Sequence, residues 1–313
     1  MAEPAQRICS LLPSATEIVC ALGLSDRLVG VTHECDFPPA IRQKPQVTSS
    51  VIDSEGLSGA EIDQAVRDSL AEEATIYHLD RTALDYLRPD LILTQELCDV
   101  CAVGTDLVKE TVATLVSRPM VVSLEPRTLS EVLESVLTVG RLTGAERRAA
   151  ELIQQLQTRL DRVREAVRDR PVVPVLTLEW VHPVFVGGHW VPDMVRIAGG
   201  RDVLGQAGQP SRQVTWRDVS HSCPEVVIAM PCGFGLERSA QELSRASLPA
   251  EWSELPAVRA DRVFVVDGSS YFNRPGPRLI EGVEILASLL HPEVCSDVPE
   301  GSCARYAADR VGI

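Results

Sequence analysis

The sequence has no long cluster of lysine or arginine, and its 44 acidic against 30 basic residues leave a formal charge of −14. That makes nucleic acid and anionic membrane poor partners, because both are held through positive charge. No run approaches the ~20 apolar residues needed to cross a bilayer, so membrane insertion is not expected. Nucleotide and hydrolase signatures are missing as well. Gly187-Gly188 and Gly233-Phe234-Gly235 lack the Lys-Ser/Thr of a phosphate loop and the glycine spacing of a dinucleotide fingerprint. No Gly-x-Ser-x-Gly elbow occurs. Ahead of Arg7 there is neither a basic segment with a following apolar run nor a small-residue cleavage site. The nine cysteines are an odd count in a chain with ample core, unlike a disulfide scaffold. These two readings predict a cytoplasmic chain.

What is present is enough apolar material for two cores: 313 residues, 45% hydrophobic and 24% charged. The stretch Ala145–Asp169 organises the rest. Ala149, Leu152, Ile153, Leu156, Leu160, Val163 and Val167 recur at steps of three and four, the stripe of an amphipathic helix. Arg147, Glu151, Arg159, Asp161, Arg164, Glu165 and Arg168 lie between them and suit a solvated face. Gly144 and Pro171 bound the helix, and no Gly or Pro interrupts it. On either side, short β-rich runs alternate with helical ones, which argues parallel sheets. Strands are expected at Arg7–Leu12, Leu28–Val31, Leu91–Thr94, Met120–Leu124, Val172–Leu178, Val226–Ala229 and Val263–Val266. Ser14 with Glu17, and Ser58 with Glu61, read as capping boxes, and Asp80 as the cap of a further helix. The fold class is therefore α/β, two Rossmann-like lobes with parallel sheets joined by one long rigid helix, the ligand cleft between the lobes. The expected divisions are an N-terminal lobe over residues 1–127, the helical spine over 128–170, a C-terminal lobe over 171–292 and a loose tail over 293–313.

In open parallel sheets ligands bind outside the carboxyl ends of the strands, and every unusual loop here follows a strand. The first lobe supplies His33, Glu34, Cys35, Gln95, Glu96, Cys98 and Cys101. The second supplies Glu179, Trp180, His182, His189, Trp190, Cys232, Tyr271, Phe272, Asn273 and Arg274. Cys35, Cys98, Cys101 and Cys232 are candidate metal ligands, because thiolates suit zinc, iron or another soft centre. A lone Cys-x-x-Cys pair is weak as a zinc signature, and structural thiols in a loop are an even alternative. Cys9, Cys20 and Cys223 read as small buried hydrophobes.

Six stretches carry a family resemblance. Ile8-Cys9-Ser10-Leu11-Leu12-Pro13-Ser14-Ala15-Thr16-Glu17, with Leu28-Val29-Gly30-Val31 and Asp36-Phe37-Pro38-Pro39, resembles the opening of the substrate-binding proteins for cobalamin and ferric siderophores. Leu87-Arg88-Pro89-Asp90-Leu91-Ile92-Leu93 is similar to their "L-x-P-D-L-I" signature, and Ala198-Gly199-Gly200 and Pro277-Arg278 also fit. The resemblance spans residues 7–292 and is closest to the cobalamin binders. It implies two lobes on a rigid helix with little closure, a metal-chelate ligand, and a carboxylate on each lobe facing permease arginines. Asp80 falls at the first of those positions and Arg217, beside Asp218, at the second, so permease docking is expected to be weak. The expected function is binding of a corrinoid or related metal chelate, in cytosolic handling or salvage, by stacking on Trp180, Trp190 and Tyr271. No cofactor is required, although zinc or iron could occupy the thiols. A metal-dependent enzyme reusing the scaffold, or the binding component of an ABC importer, are the alternatives.

Overall fold

The computed structural model describes residues 3–54, 56–72, 75–95, 105–296 and 298–306. Two compact units divide the chain. The first comprises Met1–Leu57, Glu61–Pro126 and Ser130–Gln155; the second comprises Ser58–Ala60, Arg127–Leu129 and Leu156–Ile313.

In chain order, β1 (Ile8–Ser10), α1 (Pro13–Ala21), β2 (Leu28–Val31), β3 (Thr48–Ser50), α2 (Gly59–Glu72) and β4 (Tyr77–Leu79) are followed by α3 (Arg81–Leu87) and β5 (Leu91–Thr94). Then come α4 (Thr105–Ala113), β6 (Met120–Ser123), α5 (Leu129–Thr143) and α6 (Glu146–Val167). The first unit holds a parallel sheet in the order β2-β1-β5-β6 and an antiparallel pair β3-β4. Leu91 and Leu93 face Leu12, Ala15, Ile18 and Val136 on one side of that sheet. Ile92 and Cys9 face Leu84, Leu87 and Val108 on the other. That alternation is the period of two that a strand imposes.

Local chemistry sets the helix ends. Asp80 caps α3 as expected, its carboxylate accepting the Ala83 N–H at 2.9 Å. The capping box expected at Ser14 and Glu17 does not form. Proline is at home in the first helical position, so α1 starts at Pro13, Leu12 becomes its N-cap, and Ser14 falls inside the helix. On α6, Ala149, Leu156, Leu160, Val163 and Val167 are buried as the stripe requires. Arg159 departs from the solvated face: half-buried, it donates to Glu284 at 2.6 and 2.9 Å. The helix is continuous through Gln155 and Leu156, where the two units divide.

The second unit contains β7 (Val173–Trp180), β8 (Phe185–Val186), α7 (Val191–Ile197), β9 (Gly200–Asp202), β10 (Arg212–Gln213), α8 (Trp216–Ser222) and β11 (Val226–Ala229). These lead to α9 (Leu236–Arg245), α10 (Pro256–Arg259), β12 (Val263–Val266), α11 (Gly268–Tyr271), α12 (Leu279–Leu290) and β13 (Cys303–Arg305). Strands β9, β7, β11 and β12 run parallel, whereas β8, β10 and β13 are antiparallel additions. The sheet is thus mixed, with its parallel strands at the centre. Residues 303–305 are not loose, because β13 pairs with β12 along its edge. No helix among the described residues is long and apolar enough to cross a membrane.

Candidate functional site

The first unit presents the carboxyl ends of β1, β2 and β5. His33 follows β2 and is half-buried. Its Nδ1 lies 2.8 Å from the Thr48 hydroxyl and its ring centroid 5.8 Å from that of Tyr77, which ties this loop to the β3-β4 pair. Burial lowers the His33 pKa and favours the neutral ring. Glu34 is exposed, its backbone N–H donating to the Thr32 hydroxyl at 3.2 Å. Cys35 turns inward: it is 3% exposed, with Sγ 3.0 Å from the Thr16 hydroxyl. It therefore packs in the core instead of offering a thiol at the surface. Gln95 continues β5 and is buried, and its Nε2 has no hydrogen-bond partner among the described residues. Glu96, Cys98 and Cys101 lie outside the described residues.

The second unit brings together the loops after β7, β11 and β12. Glu179 is spent on structure, its carboxylate accepting the Gly188 N–H at 3.1 Å and the Ser211 hydroxyl. A Cβ on Gly188 would strike the Ser211 backbone, which is why only glycine fits there. Trp180 is half-buried, its ring 5.2 Å from Phe234 and its indole N–H unpaired among the described residues. The Arg238 guanidinium lies 4.1 Å from the Phe234 ring centre. Cys232 is exposed in the same loop, its backbone N–H donating to the Glu179 carbonyl at 3.1 Å.

His182 is exposed before Pro183. His189 is half-buried and stacks on Trp190 at 5.6 Å, and burial with nearby Arg127 lowers its pKa. Tyr271 is half-buried beneath the Arg278 guanidinium, 5.7 Å away, with burial raising its phenol pKa. Asn273 reaches the Met230 carbonyl at 3.5 Å and leaves its Oδ1 unpaired among the described residues. Arg274 is half-buried beside it. Two aromatics expected to meet ligand do not face outward. Trp190 is 6% exposed and donates its indole N–H to the Phe272 carbonyl at 2.7 Å, and Phe272 is fully buried. A large ring gains more by filling the interior than by lining a surface, so these two became core. Among the described residues, no three His, Cys, Asp or Glu side chains are grouped to hold a metal. Phe234 and Arg238 were not anticipated. The one available signal was the position of Phe234 in a loop directly following a strand.

A family model described as periplasmic binding protein matches residues 8–269. The chain is 25% identical to an uncharacterized ABC transporter substrate-binding lipoprotein of Bacillus subtilis, over 92% of this chain and 81% of that one. It is 23% identical to a vitamin B12-binding protein of Vibrio cholerae, over 92% and 90% respectively. Among solved structures, a periplasmic heme-binding protein from Pseudomonas aeruginosa superposes with a TM-score of 0.71 at 20% identity, covering 97% of this chain and 99% of that one. These similar proteins are solute binders, not enzymes. Their fold is the two-lobe α/β fold expected from the sequence. The cytoplasmic expectation is overturned, because the matching family is periplasmic and a similar protein is a lipoprotein. Neither the start of this sequence nor an odd cysteine count carries information about compartment.

Proposed function

The chain belongs to the periplasmic binding protein family, and from that premise we propose that it is the substrate-binding component of an ABC importer for a flat metal chelate of the corrinoid class. Each unit, taken by itself, presents candidate ligand-contacting residues at the carboxyl-end edge of its own parallel strands. The observation that carries this reading is Trp180, held half-exposed against Phe234 at the end of β7. A half-buried ring held at a tilt against a second ring is suited to stacking on a flat macrocycle. Tyr271, His189, His182, Asn273 and Arg274 lie in the loops at the ends of the neighbouring strands and supply polar contacts to its rim; in the first unit, taken by itself, His33, Glu34 and Gln95 are the candidate polar contacts. The names of the vitamin B12-binding relatives support the corrinoid class.

Docking on a permease would use exposed Asp80 of the first unit. In the second unit, exposed Arg217 adjoins Asp218, whose carboxylate is engaged by Thr215 in a capping box. A cation at that position opposes an arginine socket, so docking is weaker there.

Titration with cyanocobalamin, and separately with hemin, followed by quenching of tryptophan fluorescence, tests the cargo. Cyanocobalamin should bind saturably, and Trp180→Ala should weaken it by about tenfold or more, which is 1.4 kcal/mol. No saturable binding of either chelate overturns the reading. So does purified protein that carries stoichiometric zinc or iron and no macrocycle-binding activity.

A further inference from the structure

Gly59, the first residue of α2, is held from far along the chain. The segment Ser58–Ala60 belongs to the second unit, although the residues on either side of it belong to the first. Its hold is the carboxylate of Glu242 on α9, both of whose oxygens accept the buried Gly59 N–H at 3.0 Å. A first-turn amide has no partner within its own helix, and negative charge suits that helix end. Glu242 is 8% exposed, so solvent is largely kept from the contact. On α9 it stands four residues beyond Arg238, on the face that also carries Arg238 over the Phe234 ring.

A Cβ on Gly59 would run into the Glu242 carboxylate and come within 3.3 Å of Trp180 Cε2. Cε2 is the ring carbon bonded to the indole nitrogen, so Gly59 packs against the N–H edge of Trp180. Only a residue without a side chain allows this approach. Glycine is a poor helix former, and its place at the head of α2 answers a need for room.

Trp180 carries an independent mark of the same contact. Its Nε1 is buried and has no hydrogen-bond partner among the described residues. A buried unpaired donor is disfavoured, and lifting Ser58–Ala60 would return it to water or to an acceptor on a ligand. The Glu242 carboxylate therefore favours the position of this segment, and the stranded indole N–H opposes it. Opposed interactions of this kind give an element two accessible positions.

We propose that Glu242 and Gly59 form a latch that covers the N–H edge of Trp180 and opens to admit the cargo. The contact is autoinhibitory, because binding at that edge competes with closure. It rests on the proposed function for the place of the cargo. A latch closed about nine-tenths of the time weakens apparent affinity about tenfold, since only the open fraction binds.

The test uses the full isotope-labelled chain and two variants. Gly59→Ala drives a methyl group into the Glu242 carboxylate while supplying a better helix former. Glu242→Leu removes the acceptor, and if it does not fold, Gly59→Ala carries the test. Without chelate, exchange of the Gly59 amide and of the Trp180 indole N–H should be about tenfold faster in the variants than in the parent. The variants should also bind cyanocobalamin about tenfold more tightly, or hemin if that is the chelate the parent binds. Bound chelate should speed exchange at Gly59 in the parent. A folded variant with unchanged or weakened affinity overturns the latch. So does a Trp180 indole N–H that exchanges as fast in the parent as in Gly59→Ala. Faster exchange in the variants of a protein that binds neither chelate would sink the proposed cargo and keep the latch. Chelate binding by the parent with no gain in the variants would sink the latch alone.

Discussion

The indole N–H of Trp190 donates to the backbone carbonyl of Phe272 at 2.7 Å, with both residues buried. This bond ties the start of α7 to the end of α11, two segments that flank the candidate site. Trp190→Phe keeps most of the ring and removes the donor, leaving the carbonyl unpaired. The expected loss is about 1–3 kcal/mol in denaturant unfolding. Cyanocobalamin titration should be unchanged in the folded variant. A variant of normal stability with impaired titration would return Trp190 to the ligand surface.

How much of this was legible in the sequence depends on how much side-chain pattern each element carries. Leu28–Val31, Leu91–Thr94, Val226–Ala229 and Val263–Val266 are apolar runs, and the structure forms strands over those same residues. The α6 stripe was equally plain. Strands β3 and β4 were not, because three residues such as Thr48-Ser49-Ser50 show no period and exist only through pairing with Tyr77–Leu79. The same holds for β13, which β12 recruits from an otherwise patternless stretch. Within the candidate site, sequence named the loops but not the direction of their side chains. Trp180 and Trp190 carry the same chemical signal, and only tertiary packing makes one a surface ring and the other a core ring. Cys35 is similar: nothing local reveals that the Thr16 hydroxyl waits beneath it.

Arg159 joins α6 to α12 through Glu284 at 2.6 Å and Glu281 at 3.4 Å, with side-chain exposures of 30% for the arginine and 26% and 29% for the glutamates. Arg159→Met should cost about 1–3 kcal/mol at neutral pH, below the range of fully buried pairs because solvent still reaches this one. Burial already raises the Glu281 pKa, with Arg159 opposing it. Removing the arginine raises it further. A carboxyl raised in the folded state gives stability that is full at low pH and lost as pH rises through its folded value. The gap between parent and variant should therefore narrow as pH falls from 7 towards about 4. A constant gap over that window would show that the contact acts by packing alone.

His33 gives the opposite slope. Burial lowers its pKa from 6.5, so the unfolded chain takes up the proton first. The stability this confers is complete above 6.5 and is lost as pH falls through the depressed folded value. His33→Asn should flatten the acid side of the stability profile, measured by urea unfolding at several pH values. His189 is lowered in the same way and stays in place, so some slope should persist. Parallel profiles for parent and variant would mean that the His33 ring is not held neutral by the fold.

Cys232 and Cys223 allow the ligand surface to be mapped without any change to the chain's sequence. Both are exposed, but they lie at opposite ends of one strand. Cys223 ends α8 with φ 47°, just before β11 begins at Val226. Cys232 lies in the loop after β11 ends at Ala229, two residues from Phe234. Four strand residues at about 3.3 Å each separate the two edges by roughly 13 Å. Cys9 and Cys35 are buried, and burial pushes the Cys9 thiol well up, so both should stay inert in the folded chain. Among the described cysteines, a thiol reagent should label Cys232 and Cys223 first, each read separately by mass spectrometry of its peptide. Saturating cyanocobalamin should slow Cys232 and leave Cys223 untouched, because the proposed macrocycle on Trp180 covers only the carboxyl edge of β11. Equal protection of both thiols would indicate a global stiffening. Unprotected Cys232 with ligand bound would move the ligand off the second unit's sheet edge.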